Sequence, residues 1–328
     1  MAYNAPMAAA LDPRVLDIVD LRRISASDLD PLLERETEEW MRLFGWDFSP
    51  SANLVRRYVG LQALAGRALV AGGAVVGYVY FVSEDRKGLL GDLFVSEECR
   101  TVENETSLVR AAVEELLRNP SIRRVESQLM MLRSDGRGAL PFPEYLRIYP
   151  RQFMVLEVAL AAGLKPGRAA SKAQFDGWSA RRQDEAAQVI AAAYAGHLDG
   201  DVNDQYRSVW GARRFLANIV QYPGCGTFFQ PASFVALDAW SGAVCGISLT
   251  SMLSAGNGHI TQICVEPRLK GQGLGYELMR RSLLAFSEAG CRKVSLTVTS
   301  ANTEAVRLYE RIGFRFARQF HALVWDRT

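Results

Sequence analysis

Three glycines at residues 271, 273 and 275 have the spacing that lets a backbone wrap around a bulky anion. They follow an apolar stretch at residues 260–265 that is typical of a buried strand, and Pro267 then removes the amide donor that would extend it. An amphipathic helix is predicted over about 273–289. Glycines let an anion approach the backbone, and the free amides and dipole of the first helical turn face that anion. The segment therefore predicts a pyrophosphate site between a strand and a helix.

Two other phosphate-binding patterns do not fit these glycines. A P-loop requires GxxxxGK[ST], and neither Lys-Ser nor Lys-Thr follows them. A dinucleotide fingerprint requires GxGxxG at the start of a βαβ unit, whereas this segment has GxGxG late in the chain. Both of these classes of site are therefore excluded.

A second motif, NTEAVRLYERIGF at 302–314, follows a predicted strand at 293–299. Together the two motifs resemble those of the GCN5-related N-acetyltransferase (GNAT) family. The first resembles Gln/Arg-x-x-Gly-x-Gly/Ala, with Lys270 in place of the usual Gln or Arg and with Gly273 and Gly275 matching. The second resembles Asn-x-x-Ala-x-x-Leu-Tyr-x-x-x-Gly-Phe and matches at each specified position. The resemblance covers about residues 230–328.

This resemblance implies an acyl-CoA, most simply acetyl-CoA, as the cofactor. It implies that the first strand's backbone holds the acyl carbonyl and that the glycine loop holds the pyrophosphate. Asn302 would contact the cofactor's pantetheine region, and its position also suits the N-cap of a helix. The residues so assigned are Ile263, Cys264, Val265, Lys270, Gly271, Gln272, Gly273, Leu274, Gly275 and Asn302.

Two residues are candidates for proton transfer. By resemblance, Tyr309 protonates the departing thiolate, and a phenol is protonated at neutral pH; packing on the sheet is its alternative role. By resemblance, His259 is a candidate base, because several relatives carry a Glu six positions before the residue that ends this strand, here Val265. Strand alternation would place His259 on one face with Thr261, Ile263 and Val265, and a strand-edge histidine without a catalytic role is its alternative. Glu266 or a chain of waters remains an alternative base.

The loop between two predicted helices, at 182–197 and 206–222, contains three carboxylates that would attract a cationic amine. A solvated turn is the alternative interpretation. The candidate acceptor-binding residues are Asp199, Asp201 and Asp204. No histidine or cysteine spacing indicates a metal site.

The chain contains a repeat with an offset of about 170 residues. Gly77 corresponds to Gly246 at an offset of 169, and Val95 corresponds to Val265 at 170. Each copy is predicted to have two opening helices, a hairpin, a further strand and a helix. We therefore predict an α/β fold of two tandem GNAT-like domains, at 1–168 and 169–328. Each would have a central, twisted, mostly antiparallel sheet flanked by helices.

The first copy departs from the cofactor motif. In its register, Arg100 takes the first position, and Glu103 and Glu105 replace the glycines, so their carboxylates would repel a pyrophosphate. Two prolines and two glycines interrupt the segment 133–143, where the second motif would lie. The first domain is therefore predicted to be a degenerate copy without cofactor.

Composition gives a soluble, globular class. The 328 residues are 49% hydrophobic and 23% charged, with a net charge of +2 that indicates no nucleic-acid partner. Five cysteines without paired spacing favour free thiols. Residues 1–13 resemble no targeting leader, and no apolar run has the length of a membrane span.

These observations predict a cytoplasmic protein, monomeric or homodimeric, that transfers an acetyl group to a small-molecule or peptide amine. A non-catalytic acyl-CoA sensor is the alternative function.

Overall fold

The structure is a computed structural model, and it describes residues 16–133, 140–171 and 173–327. The expectation for residues 1–13 and most of the interrupted segment 133–143 lie outside the described residues. The α-helices are α1 (Ala26–Phe44), α2 (Ser49–Gly60), α3 (Val102–Arg118), α4 (Gln183–Ala193), α5 (Asp199–Val202), α6 (Val209–Gln221), α7 (Leu274–Glu288) and α8 (Thr303–Ile312).

The strands alternate with these helices in the order that the sequence predicts. They are β1 (Leu16–Asp20), β2 (Gly66–Ala71), β3 (Ala74–Glu84), β4 (Lys87–Val95), β5 (Arg124–Gln128), β6 (Leu146–Glu157), β7 (Ala173–Gly177), β8 (Thr227–Phe228), β9 (Phe234–Asp238), β10 (Val244–Ser254), β11 (Asn257–Val265), β12 (Lys293–Thr299) and β13 (Arg315–Asp326). The predicted class, a mixed and mostly antiparallel α/β sheet with flanking helices, is confirmed.

The described residues form two compact units. The first takes its residues from Met1–Glu38, Ala52–Arg147 and Val324–Thr328, and the second takes Glu39–Ser51 and Ile148–Leu323. These units differ from the predicted halves, because β6 pairs antiparallel with β12 over seven residues, from Glu157–Lys293 to Arg151–Thr299. A strand from before the repeat boundary therefore belongs to the second unit.

The first unit contains strands β1 to β5 in sequential order. Its β4 pairs parallel with β5, and this pairing runs from Lys87–Arg124 to Leu90–Ser127. Between β3 and β4 the register shifts by one residue, which leaves Gly91 as a β-bulge. Tyr80 requires this glycine, because a β-carbon at position 91 would lie 2.0 Å from its ring.

The second unit has the strand order β6–β12–β11–β10–β9–β7. Its β11 pairs parallel with β12 from Asn257–Lys293 to Ile260–Leu296, and then the pairing ends. The register of β10 and β11 shifts at this point and leaves Thr261 as a bulge. The bulge and the parallel strand pairing of the first unit thus recur in the second unit, 169 to 170 residues later in the sequence. This recurrence supports the predicted repeat.

Helices cover both faces of the second unit's sheet. The helices α4 and α6 bury an alanine-rich face with Ile190 and Leu216 against Ile247 and Leu249. On the opposite face, α7 and α8 pack on β12, with Phe286 at the centre of the cluster. Apolar periodicity in both sets of helices therefore fixes which sheet face each covers.

Gly258 in β11 is the point where α7 approaches the sheet most closely. A β-carbon there would lie 2.5 Å from Cε1 of the buried Phe286 ring. We expect Gly258→Ala to lower the free energy of unfolding by about 1–3 kcal/mol, because a close-packed core cannot absorb the methyl group without moving the ring. Urea unfolding measures the change.

Gly177→Ala is the matched control, since a β-carbon at Gly177 meets nothing within 4 Å. This variant should remain within about 0.5 kcal/mol of the parent. Equal stabilities for the two variants would show that the packing of Phe286 does not require a glycine at position 258.

Candidate functional site

The predicted glycine loop connects β11 to α7. A single 3-10 turn at Pro267–Leu269 precedes it, and Gly273 caps α7 with a φ of 92°. Gly271 also has a positive φ, of 74°. Side chains other than glycine rarely adopt this region, so the loop needs glycine at both positions. The first amides of α7 have no acceptor within the helix and, with the helix dipole, favour an anion.

A cleft of about 830 Å³ opens beside this loop in the second unit. It lies where β11 and β12 part after the Ile260–Leu296 pair, so that β11 has no strand partner on that side. All of the predicted cofactor residues except Gln272 line the cleft. Gln272 lies on the exposed loop, where its side-chain amide donates to the Arg268 carbonyl at 3.2 Å.

Tyr309 also lines the cleft, from α8. Its side chain is 8% exposed, and its ring meets Phe314 edge-on at 6.0 Å between centroids. Burial, followed by the nearby Asp199 and Cys264, raises the pKa of the phenol well above its usual value. The hydroxyl has no hydrogen-bond partner among the described residues, so its proton is available to a ligand.

Asn302 is the N-cap expected from the sequence, and it also lines the cleft. Its Oδ1 accepts the Ala305 amide at 3.3 Å, which makes it the N-cap of α8. Its Nδ2 donates to Asp199 at 3.5 Å, and the residue lines the cleft. A cap fixed in this way holds the start of α8, and with it Tyr309, against the cleft.

The three predicted acceptor-binding carboxylates separate in the structure. Asp199 begins the short helix α5 and accepts the Thr299 hydroxyl at 2.5 Å, close to the cleft. Asp201 instead forms an ion pair with Arg207 at 2.8 Å, on a half-exposed surface. Asp204 lies in the following 3-10 turn and does not line the cleft. Of the three, Asp199 alone is placed next to the predicted cofactor residues.

His259 is buried away from the cleft lining. Its Nδ1 lies 2.9 Å from the Ser295 hydroxyl, and its ring stacks on Phe153 with centroids 6.4 Å apart. Burial, followed by the charge of Arg151, lowers its pKa to about 4. The imidazole is therefore neutral at pH 7, and its predicted role as the base stays a prediction.

The predicted alternation of side chains between the two faces of β11 is interrupted at Thr261. Ile260 and Ile263 both pack in the core cluster under α7 and α8, although three positions separate them. His259 precedes Ile260 and points to the opposite face, so it does not share a face with Ile263. The bulge at Thr261 inserts one residue and shifts the phase of the strand.

The alternative base, Glu266, is engaged at the end of β11. Its carboxylate accepts Nε of Arg268 at 2.9 Å, and the same guanidinium reaches Asp238 at 3.1 Å. The cleft lining does not include Glu266. An ion-paired carboxylate outside the cleft is poorly placed to take a proton from an amine within it.

Sequence reasoning missed several cleft residues. Tyr194, the residue that follows α4, accepts a hydrogen bond from Gln262 Nε2 at 2.9 Å, is partly buried and lines the cleft. Arg307 and Arg311 lie one turn apart on α8 and form no ion pair with any described residue. Their i, i+4 spacing within the second motif was the available signal, because it places two cations on one helix face.

The corresponding helix of the first unit begins differently. Thr101 caps α3 by accepting the Asn104 amide at 3.2 Å, and the following turn carries Glu103. Glu105 is buried, and its carboxylate accepts the Arg133 amide at 3.0 Å. A carboxylate thus lies where the second unit has Gly275, in agreement with the sequence register.

The described residues contain no group of three or more His, Cys, Asp or Glu side chains arranged to hold a metal ion. Within the same residues, no helix is both long and apolar enough to span a bilayer.

Comparisons with known proteins show what the chain resembles. Residues 199–314 match the model of the Acetyltransferase (GNAT) family. A GCN5-related N-acetyltransferase from Sphaerobacter thermophilus aligns with a TM-score of 0.66 at 17% identity, over 96% of each chain. A tandem GNAT protein from the clavulanic acid biosynthesis pathway aligns at 0.58, with 15% identity, over 96% of this chain and 99% of that one. At these identities the likeness is one of fold, and that fold is the predicted tandem one.

The curated relatives match over shorter segments. A mycothiol acetyltransferase of Mycolicibacterium gilvum is 28% identical over 169 residues, 47% of this chain and 49% of the relative. A mycothiol acetyltransferase of Saccharopolyspora erythraea is 31% identical over 26% of this chain and 29% of its own. An N-alpha-acetyltransferase of Arabidopsis thaliana is 37% identical over 20% and 34%. The chain therefore spans less than half the length of these relatives.

The buried neutral imidazole of His259 should make stability depend on pH. Unfolding raises its pKa from about 4 to the ordinary value near 6.5, so acid favours the unfolded state. The stabilising contribution is complete above about pH 6.5 and declines as the pH falls toward 4. Between pH 7 and pH 5, we expect wild type to lose about 2 kcal/mol more than His259→Gln, as measured by urea unfolding.

Glutamine cannot ionise but can keep a hydrogen bond to Ser295, so it isolates the titration from the packing. Carboxylates elsewhere titrate equally in both proteins and cancel in the difference. Parallel pH profiles for the two proteins would contradict the low pKa of His259.

Proposed function

We propose that this protein is an acetyltransferase that moves an acetyl group from acetyl-CoA to an amine, with one active site in the second unit. The cleft carries this proposal, because it joins the glycine loop to a buried phenol through the free edge of β11. Relatives that match this part of the chain are named as acetyltransferases, which supports acetyl as the group transferred.

The residues of the cleft fit an acyl-CoA. When bound, acetyl-CoA would supply a thioester carbonyl as the acyl donor. The loop at Lys270–Gly275 and the first turn of α7 would hold its pyrophosphate, and a β-carbon at Gly275 would occupy that space. Arg307 and Arg311 add unpaired positive charge along the same cleft.

The chain's own groups would then perform the transfer. The backbone amides of Ile263 and Val265 face the unpaired edge of β11, because the Glu266 amide, and by alternation that of Cys264, points to β10. These two amides would donate to the acyl carbonyl. Tyr309 Oη would give its proton to the departing sulfur, since burial keeps the phenol protonated. The amine would lose its proton to water in the cleft, because His259 is buried outside the cleft lining.

A non-catalytic acyl-CoA sensor is the second candidate function. It would need the glycine loop but not a protonated phenol without a hydrogen-bond partner. The burial of Tyr309 at the cleft favours the enzyme. For the first unit we propose a structural role without cofactor, because Glu105 places a buried carboxylate at the start of α3.

Gly275→Glu tests the cofactor site by giving the second unit the residue of the first. A β-carbon at Gly275 would contact only Val265 Cγ2 at 3.8 Å and Leu308 Cδ2 at 3.9 Å, so the fold should tolerate the change. The carboxylate would repel a pyrophosphate, and we expect the Kd for coenzyme A to rise more than about tenfold by calorimetry. Gly177→Glu, on an exposed strand, is the charge control and should bind normally; unchanged affinity in Gly275→Glu would refute the loop assignment.

Tyr309→Phe tests catalysis separately from binding. Loss of the phenolic proton should lower kcat about a hundredfold, whereas the Kd for coenzyme A should stay within about twofold. Release of thiol from acetyl-CoA in the presence of an amine panel measures kcat. Normal turnover in this variant would show that another group protonates the thiolate, and the absence of turnover in wild type with every amine would favour the sensor.

A further inference from the structure

Three hydroxyl groups follow one face of β12, because alternate residues of a strand point to the same side. Each hydroxyl makes a hydrogen bond to a titratable side chain of a different element of the second unit. Ser295 bonds His259 at 2.9 Å, Thr297 accepts from Arg151 Nη2 at 3.3 Å, and Thr299 donates to Asp199 at 2.5 Å.

Arg151 carries the one permanent positive charge among these three titratable side chains. Its guanidinium is half-buried, and its Nε is enclosed without any hydrogen-bond partner in the described part of the chain. No described residue forms an ion pair with it. The guanidinium carbon of Arg151 lies 5.9 Å from the centroid of the Phe320 ring. A half-buried guanidinium without an anionic partner can accept one from a ligand, so Arg151 presents a candidate anion site.

Arg151 does not line the cleft, but the register of β6 and β12 and the hydrogen bonds of Asp199 connect it to Asn302, which does. Arg151 is the direct strand partner of Thr299, and residues paired in this way lie side by side on one sheet face. Thr299 in turn holds Asp199. The charge of Arg151 also reaches Tyr206 and Tyr309, where it opposes the rise in pKa that burial gives each phenol. The guanidinium is therefore close to the group that would protonate the thiolate.

Arg151 and Asp199 carry opposite charges on one face and yet form no ion pair with each other. A separated pair of this kind matches a ligand that carries both charges at a similar separation. The planar guanidinium fork suits a carboxylate, and the Asp199 carboxylate would attract an ammonium.

We propose that the acceptor is an amine that also carries a carboxylate, as a free amino acid does, and that Arg151 binds the carboxylate. This inference rests on the proposed function and adds the class of acceptor to it. Arg151 is assigned as a specificity-determining residue, and it takes no part in the bond changes.

Matched pairs of acceptors test the proposal with wild-type protein. Each free L-amino acid is compared with its amide in the acetyl-CoA thiol-release assay at neutral pH. The amide amine is the less basic and hence the more often deprotonated, so chemistry alone favours the amide. We expect the acid form to have the higher kcat/KM by about 10- to 100-fold for the preferred side chains.

Substitution of Arg151 is the second test of the proposal. Arg151→Gln should raise KM for the amino acid about 10- to 100-fold while kcat and the KM for the amide change little. Arg151→Lys should recover part of the loss, since it restores charge without the fork. Arg213→Gln is the control, because Arg213 pairs with Asp184 on the exposed surface of α4 and α6 and should behave as wild type.

Calorimetric titration of wild type with amino acids and their amides, in the presence of coenzyme A, distinguishes failure of the carboxylate assignment from failure of the proposed acetyltransferase function. Binding of the acid form alone supports the proposal even if no turnover occurs, in which case the proposed function fails by itself. Equal binding of acid and amide, binding of neither, or transfer that does not distinguish them would overturn the carboxylate assignment and leave the acetyltransferase intact. If Arg151→Gln is unfolded by circular dichroism, the Lys variant and the wild-type comparison decide.

Discussion

The bulge at Thr261 is the constraint on which the site depends. Strand pairing between β11 and β12 ends at Ile260, the residue immediately before it. A bulge bends its strand and increases the local twist, so β11 turns away from β12 and leaves an edge of free amides. The cleft opens in this gap, and the glycine loop begins where the same strand ends. Without the parting, the amides of Ile263 and Val265 would donate to a neighbouring strand.

The first unit shares this constraint but differs in the helix that follows. It has the same bulge at Gly91, and its parallel pairing also ends one residue earlier, at Leu90. The difference lies in the start of the next helix, where Thr101 caps α3 and Glu105 buries a carboxylate. Strand geometry is thus shared between the copies, whereas the electrostatics of the helix N-terminus differ.

The sequence predicted those features that local chemistry determines. The glycine pattern, the strand at residues 293–299 and the N-cap of α8 at Asn302 each depend on neighbouring residues, and the structure has them as predicted. The phase of β11 could not be predicted, because a bulge is a property of the pairing with β10. For the same reason nothing local indicated that β6 would pair with β12 and bring Arg151 beside Thr299.

The two faces of β12 show why the chemistry is confined to one end of the sheet. Residues 294, 296 and 298 are apolar and bury the face beneath α7 and α8, while the intervening hydroxyls bind His259, Arg151 and Asp199 on the other face. Over most of its length the sheet separates these sets of side chains. Where β11 parts from β12, that barrier is missing, and Tyr309 from one face can act beside charged groups from the other. An acyl donor bound along the loop and an acceptor held by the hydroxyl face would meet only there.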